Sequence, residues 1–334
     1  MNSAASVSRQ PVRVAWTRDR LLLERTIALG NSLDASSYST YTSALNSYIS
    51  FCKLHNFDVT PTEETLSFFV VYMSYHIKPQ SVDSYLSGIC NQLEPHFPDV
   101  RKHRNSSLVS RTLKGCKRMR NSPTLRRSPL LPSHVLSITY SLHASSPHDD
   151  LLFATILVTG FHGLLRLGEL TTNDNRMKRD WRKVILRHTV SFPDASSYSF
   201  MLPSHKADPF FEGNIIVIRN FLPELDPKPL FVRYLASRDN AFPLNPELWI
   251  TSAGSLPTRT WFIKRLRAIF PDPLIAGQSM RAGGATCLAT TGALPAIIQA
   301  AGRWASDTFQ VYIRKNPFLL HAILQAQRVQ PTDA

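Results

Sequence analysis

The strongest constraint on how this chain folds lies in its last sixty or so residues. From Gly277 the apolar positions keep a helical period through Met280, Leu288, Ile297 and Ile298, and Gly292 and Pro295 break it. A pattern of that kind builds several short helices that fold back on one another. Along it stand Gln278-Ser279-Met280-Arg281-Ala282-Gly283-Gly284-Ala285-Thr286, then Ala301-Gly302-Arg303-Trp304, then Tyr312-Ile313-Arg314. Folding back can bring Arg281, Trp304 and Tyr312 to one place. A guanidinium, an indole N–H and a phenol meeting there would suit a phosphate with a nucleophile beside it.

The rest of the chain reads as mainly α with a small antiparallel β-sheet, in two domains. Residues 1–12 are expected to be a flexible tail. Residues 13–120 carry four helical patterns, enough for one small helical domain. The first is capped by Ser36 or Ser37 and buries Tyr41, Leu45, Tyr48, Ile49 and Cys52. The second opens at a capping box in Thr60-Pro61-Thr62-Glu63, the third at Pro79, and the fourth runs from about Ser106 to Arg120. Residues 121–131, rich in proline and basic residues, read as an extended linker, and 132–334 as the second domain. There, helices are expected over Pro132–His143, His148–Phe161, Pro229–Ser237 and Thr258–Phe270. Short strands are expected at Lys183–Arg187, Tyr198–Leu202 and Ile215–Ile218, the last two joined through Ser204 to Gly213.

Charge narrows the class of partner. A formal net charge of +14 on 334 residues calls for a polyanion, and nucleic acid is the commonest. Between Val100 and His148 stand Arg101, Lys102, Arg104, Arg111, Lys114, Lys117, Arg118, Arg120, Arg126 and Arg127, with no Asp or Glu among them. Such a run is either a solvated face or a strap lying along phosphates, which holds DNA without reading its sequence. Cys52, Cys90, Cys116 and Cys287 fall in apolar patterns with no C-x-x-C, which fits buried, reduced thiols in an intracellular protein. His143 and His148 lack the further partners a metal would need. No signal peptide is visible, and the longest apolar run, Leu151 to Leu165, is too short to span a bilayer and contains His162. A soluble protein is expected.

Three further residues complete a set. Arg166, in Leu164-Leu165-Arg166-Leu167-Gly168-Glu169-Leu170, stands among leucines with Glu169 one turn on, so a partly buried guanidinium with an anionic partner is expected. Lys206 follows the strand that ends at Leu202. In order, Arg166 within L-R-x-G-E-L, a hairpin Lys206, Arg281 before Gly-Gly-Ala-Thr, Gly-Arg-Trp304 and Tyr312-Ile313-Arg314 resemble the tyrosine recombinase (phage-integrase-like) superfamily. The G-G-A-T, G-R-W-x-S-D-T and Y-I-R wording looks most like Crypton-type recombinases carried by eukaryotic transposons. The resemblance covers nearly the whole chain, because residues 13–120 are similar to that family's helical core-binding domain.

The resemblance implies a site-specific DNA recombinase, a DNA strand transferase that forms a 3′-phosphotyrosyl intermediate and a Holliday junction for transposon integration or excision. Tyr312 would be the nucleophile, and Arg166 and Arg281 would clamp the phosphate. Lys206 would be the general acid, Trp304 a hydrogen-bond donor to a phosphate oxygen, and Glu169 a buttress. It implies no metal and no other cofactor. The partner would be double-stranded DNA with repeated or inverted target sites, bound by a homo-tetramer, and no membrane is expected as a partner. Pro317–Leu324 would dock on a neighbouring copy or pack within its own chain. A nuclear location is expected. Relatives carry His where this chain has Gln278, which can hydrogen-bond a phosphate oxygen but cannot take up a proton; His162 and His205 are candidates to stand in. Two rivals remain: a DNA-binding protein of the same fold with attenuated catalysis, and a relaxing enzyme of the type IB topoisomerase sort.

Overall fold

A computed structural model describes residues 13–120 and 127–304, apart from 144, 207, 209 and 223. The chain divides into two compact units, Met1–Thr124 and Leu125–Ala334. The expected tail 1–12 and the segment Pro317–Leu324 lie outside the described residues.

The first unit is helical: α1 (Arg18–Gly30), α2 (Ala35–His55), α3 (Glu63–His76), α4 (Pro79–Leu93), α5 (Val100–Arg104) and α6 (Ser107–Arg120). Helix α2 starts at Asp34, whose carboxylate accepts from the Ser37 N–H at 2.8 Å, and not at a serine. A carboxylate is the stronger acceptor for a helix N-terminus. The box that opens α3 joins Thr62 and Thr65, with Pro61 just outside it. Tyr48, Phe51, Phe69, Val70, Leu86, Ile89 and Leu113 build the core. Helices α2 and α4 meet closely at Gly88, where a Cβ would come within 2.9 Å of Ala44. Helix α1 buries none of its residues; Leu21, Leu22, Leu23, Ile27 and Leu29 are exposed.

The second unit holds α7 (Pro132–Tyr140), α8 (His148–His162), α9 (Leu167–Leu170), β1 (Ser197–Leu202), β2 (Asn214–Arg219), α10 (Pro227–Ala241), α11 (Arg259–Ile269), α12 (Ser279–Thr290) and α13 (Pro295–Gly302). Helix α8 is buried along its length from Leu151 to His162 and is the spine on which α10 and α12 pack. β1 and β2 pair antiparallel, with Ser197 opposite Arg219 and Leu202 opposite Asn214. Lys183–Arg187 is not a third strand. It lies between short 3-10 turns and makes one isolated bridge, Leu186 to Glu247, while Arg187 forks onto Asp239 at 2.6 Å. Its partners, Asp239 and Glu247, come from later in the chain and give it no strand neighbour to pair with along its length. At the expected linker's end, Leu130 is buried and donates its N–H to the Ser279 carbonyl at 3.0 Å.

The Gly-Gly pair of α12 has a packing cause. A Cβ on Gly283 would run into the carbonyl of Leu130, and one on Gly284 into the carbonyl of Phe161. These two absent side chains let α12 lie directly on the end of α8 and bring Arg281 to the turn that follows it. Gly284→Ala therefore forces the two backbones apart and is expected to cost about 1–3 kcal/mol by urea unfolding. Gly168→Ala, whose Cβ would meet nothing within 4 Å, is expected to be neutral or slightly stabilising.

Candidate active site

The turn after α8 is unusual backbone. Leu164 has a φ of 48°, a left-handed conformation that costs an L-residue about 1–2 kcal/mol. It aims its carbonyl at two arginines. Arg281 Nη1 donates to Leu164 O at 2.6 Å, and Arg303 Nη2 reaches the same oxygen at 3.4 Å and Gly163 O at 3.3 Å. Arg281, only 4% exposed, also donates through Nη2 to the Gly302 carbonyl. The Trp304 ring lies over its guanidinium, with Cζ 4.1 Å from the ring centroid. The stacked indole fixes the fork's plane.

Arg166 stands at the N-cap of α9. Glu169, three residues on, accepts from the Arg166 backbone N–H through Oε2 and from its guanidinium through Oε1, both at 2.8 Å. The Glu169 side chain is 7% exposed, against 33% for Arg166. Its Oε2 also faces Arg303 Nη2 at 3.8 Å. Sequence reasoning passed over Arg303 as the spacer between Gly302 and Trp304. Its signal is conformational: it caps α13 at a φ of 54°, where glycine would be unstrained. Burial pushes its guanidinium below the usual range, Glu169 opposes that, and Arg166 adds to it. Its Nε is buried without a hydrogen-bond partner among the described residues.

Thus Arg166, Glu169, Arg281 and Trp304 come together, with Arg303 added. Gln278 is exposed at the N-cap of α12, three residues before Arg281. Lys206 is exposed in the β1–β2 connection, and among the described residues no hydrogen bond or ion pair joins it to the arginines. Tyr312 lies outside the described residues. Arg166 and Arg303 face one carboxylate, and Arg303 and Arg281 share the Leu164 carbonyl, so three guanidiniums gather in a partly buried place. Among the described residues no group of three or more His, Cys, Asp or Glu is placed to hold a metal ion.

The basic run divides. Arg101 pairs with Glu94 at 2.6 Å, and Arg104 and Lys117 pair with Asp83 at 3.0 and 2.9 Å. Arg120 stacks on Tyr75. Lys102, Arg111, Lys114 and Arg118 are exposed, and the last three follow one face of α6, opposite the buried Val109, Leu113 and Cys116. Arg127, in the second unit, donates to the Pro273 carbonyl. Arg126 lies outside the described residues.

No family model and no curated protein matches the sequence. Solved structures do match. The XerH site-specific recombinase bound to a palindromic difH substrate in a post-cleavage complex superposes with a TM-score of 0.60 at 15% identity, over 87% of this chain and 79% of that one. The fold is that of the tyrosine recombinases. A lambda integrase dimer bound to a core site gives a TM-score of 0.53 at 14% identity, over 89% of this chain and 94% of that one. The Tn1549 transposon integrase with circular-intermediate DNA gives 0.50 at 13% identity, over 80% and 85%.

Of the two histidines close in sequence to Arg166 and Lys206, His205 hydrogen-bonds Asn214 Oδ1 at 2.7 Å. His162 is buried against Phe161 and Phe221, with Nδ1 on the Val158 carbonyl, and burial pushes its pKa down to about 4. A folded-state pKa below the ordinary 6.5 means that the unfolded chain takes up the proton first. His162 is therefore expected to lend stability that is complete above pH 6.5 and lost as the pH falls toward 4. The loss amounts to about 3 kcal/mol. Unfolding measured at pH 7 and pH 4 checks this: His162→Leu should flatten the difference by that amount.

Proposed function

We propose that this protein is a site-specific DNA recombinase that cuts and rejoins strands through a 3′-phosphotyrosyl intermediate. The observation that carries the reading is the gathering of Arg166, Arg281 and Arg303 on the tyrosine-recombinase fold, the first and last facing Glu169 and the last two sharing the Leu164 carbonyl. A phosphodiester would bring negative charge to these guanidiniums. Its charge grows as the phosphorus becomes five-coordinate, so planar forks stabilise the transition state more than the ground state.

In this reading the Tyr312 oxygen attacks phosphorus, the P–O5′ bond breaks, and Lys206 gives a proton to the departing 5′-oxygen. The phenol's own proton passes to solvent, because Gln278 accepts none. Missing base assistance is typically worth about 10²–10⁴-fold, so the chemistry is slowed, not abolished. Trp304 serves through its stack on Arg281 as well as through its N–H. The exposed Arg111, Lys114 and Arg118 face of α6, with Lys102, tracks phosphates without reading bases. The finer reading is a Crypton-type transposon recombinase, acting on repeated or inverted sites as a homo-tetramer through a Holliday junction. Basic clusters at 101–104 and 117–120 fit a nuclear location. Gln278 favours one rival, a binding protein of the same fold with attenuated catalysis.

Nicked duplexes with a randomised core, incubated with the protein, separate these readings. Adducts that survive denaturation and vanish in Tyr312→Phe support the recombinase, and the trapped DNA defines a substrate. Arg303→Gly should fold as well as the parent yet lower adduct formation by about 10²-fold, as loss of one preorganised donor does. Shifted DNA without any adduct contradicts catalysis and favours the binding protein. Relaxation of plasmid lacking the selected site favours a topoisomerase.

A further inference from the structure

The general acid of the proposed reaction sits on a connection that its sequence, Ser204 to Gly213, gives no reason to call rigid. Its centre is Asp208. Lys206 lies inside a four-residue turn closed by the Asp208 N–H, which donates to the His205 carbonyl at 2.9 Å. The Asp208 carbonyl accepts from Ser204 Oγ at 3.2 Å. Its carboxylate accepts from two backbone N–H groups on the far side of the loop, Glu212 at 3.1 Å and Gly213 at 2.9 Å. Both main-chain groups and both carboxylate oxygens of Asp208 are thus engaged within the loop. Asp208 is buried while Lys206, two residues away, is exposed.

The returning limb is shaped to meet that carboxylate. Phe211 and Gly213 have φ values of 62° and 73°, in the left-handed region, and so turn successive N–H groups toward Asp208. The Phe211 ring is covered by the Arg182 guanidinium, 4.3 Å from its centroid, which fastens the loop to the preceding segment. His205 on one limb hydrogen-bonds Asn214 on the other at 2.7 Å and closes the neck. The backbone N–H groups of Gly213 and Glu212 hold the Asp208 carboxyl below the usual carboxylate range, so it remains an anion and an acceptor at neutral pH.

We propose that Asp208, by drawing the two limbs of the β1–β2 connection onto its carboxylate, is the positioning residue that presents Lys206 to the leaving 5′-oxygen. This rests on the recombinase reading and assigns Asp208 no contact with DNA. A flexible ammonium on a slack loop would reach the same oxygen only in a fraction of its conformations. Held by Asp208, it does so from a fixed base.

The test uses the full-length chain and the duplex selected above, in two forms that differ at the leaving group: 5′-oxygen, and 5′-sulfur in a bridging phosphorothiolate. A thiolate departs without a proton because thiols are far more acidic than alcohols. Asp208→Asn, which keeps one acceptor oxygen, and Asp208→Ala are compared with Lys206→Ala. The expected result is slower cleavage of the oxygen substrate by about tenfold or more, within the range a general acid supplies. On the sulfur substrate, both Asp208 variants and Lys206→Ala should return to near the parent's rate, with melting temperatures close to the parent's. Parental cleavage of the oxygen substrate by Asp208→Ala overturns the proposal, as does an equal defect on both substrates, which marks a merely structural role. Absence of adduct with the parent, or failure of sulfur to rescue Lys206→Ala, instead overturns the recombinase reading or the acid assignment, and the proposal with it.

Discussion

One carboxylate holds the second unit's polar centre together. Glu169 takes the backbone N–H and the guanidinium of Arg166 and faces Arg303, and the Leu164 carbonyl is shared by Arg303 and Arg281. Removing the carboxylate would take an anionic partner from Arg166 and Arg303, at a cost of several kcal/mol. Among the described residues, three guanidiniums gather near one carboxylate. That imbalance links its structure to its proposed chemistry.

The apolar framework exists in good part to make that meeting possible. Helix α8 is buried on all sides, so its C-terminal turn is a fixed platform. Gly283 and Gly284 let α12 press onto it, and the short α13 returns the chain so that Gly302 can accept from Arg281 and Trp304 can cover it. Two left-handed residues, Leu164 and Arg303, carry local strain at the points where a carbonyl and a guanidinium must be aimed. Strain tolerated at both ends of one hydrogen-bonded pair is what a site built for a ligand would show.

Much of this was legible in the sequence because it depends on neighbours along the chain. Helical periods, the proline at the start of α4, the hairpin around Lys206 and the Arg166–Glu169 pair one turn apart are all local. What stayed hidden involves partners that a linear reading does not pair, several of them far apart in sequence. Asp83 and Glu94 on and beside α4 neutralise part of a basic run that looks unbroken when read linearly. The value of Arg303 depends on Glu169 and Leu164, more than a hundred residues earlier. Asp208 looked like one polar residue in a loop until the returning limb placed two N–H groups on its carboxylate. Lys183–Arg187 had strand composition, but Asp239 and Glu247, both from later in the chain, decided its conformation.

The central claim is that these arginines form a seat for one DNA phosphate. A crystal structure of the Tyr312→Phe protein with its selected duplex tests it most directly. The account predicts a single phosphate whose non-bridging oxygens lie about 3 Å from the guanidinium nitrogens of Arg166 and Arg281, with Glu169 still bound to Arg166. A duplex whose backbone passes elsewhere, leaving the three arginines with only Glu169 and the protein's own carbonyls, would contradict it.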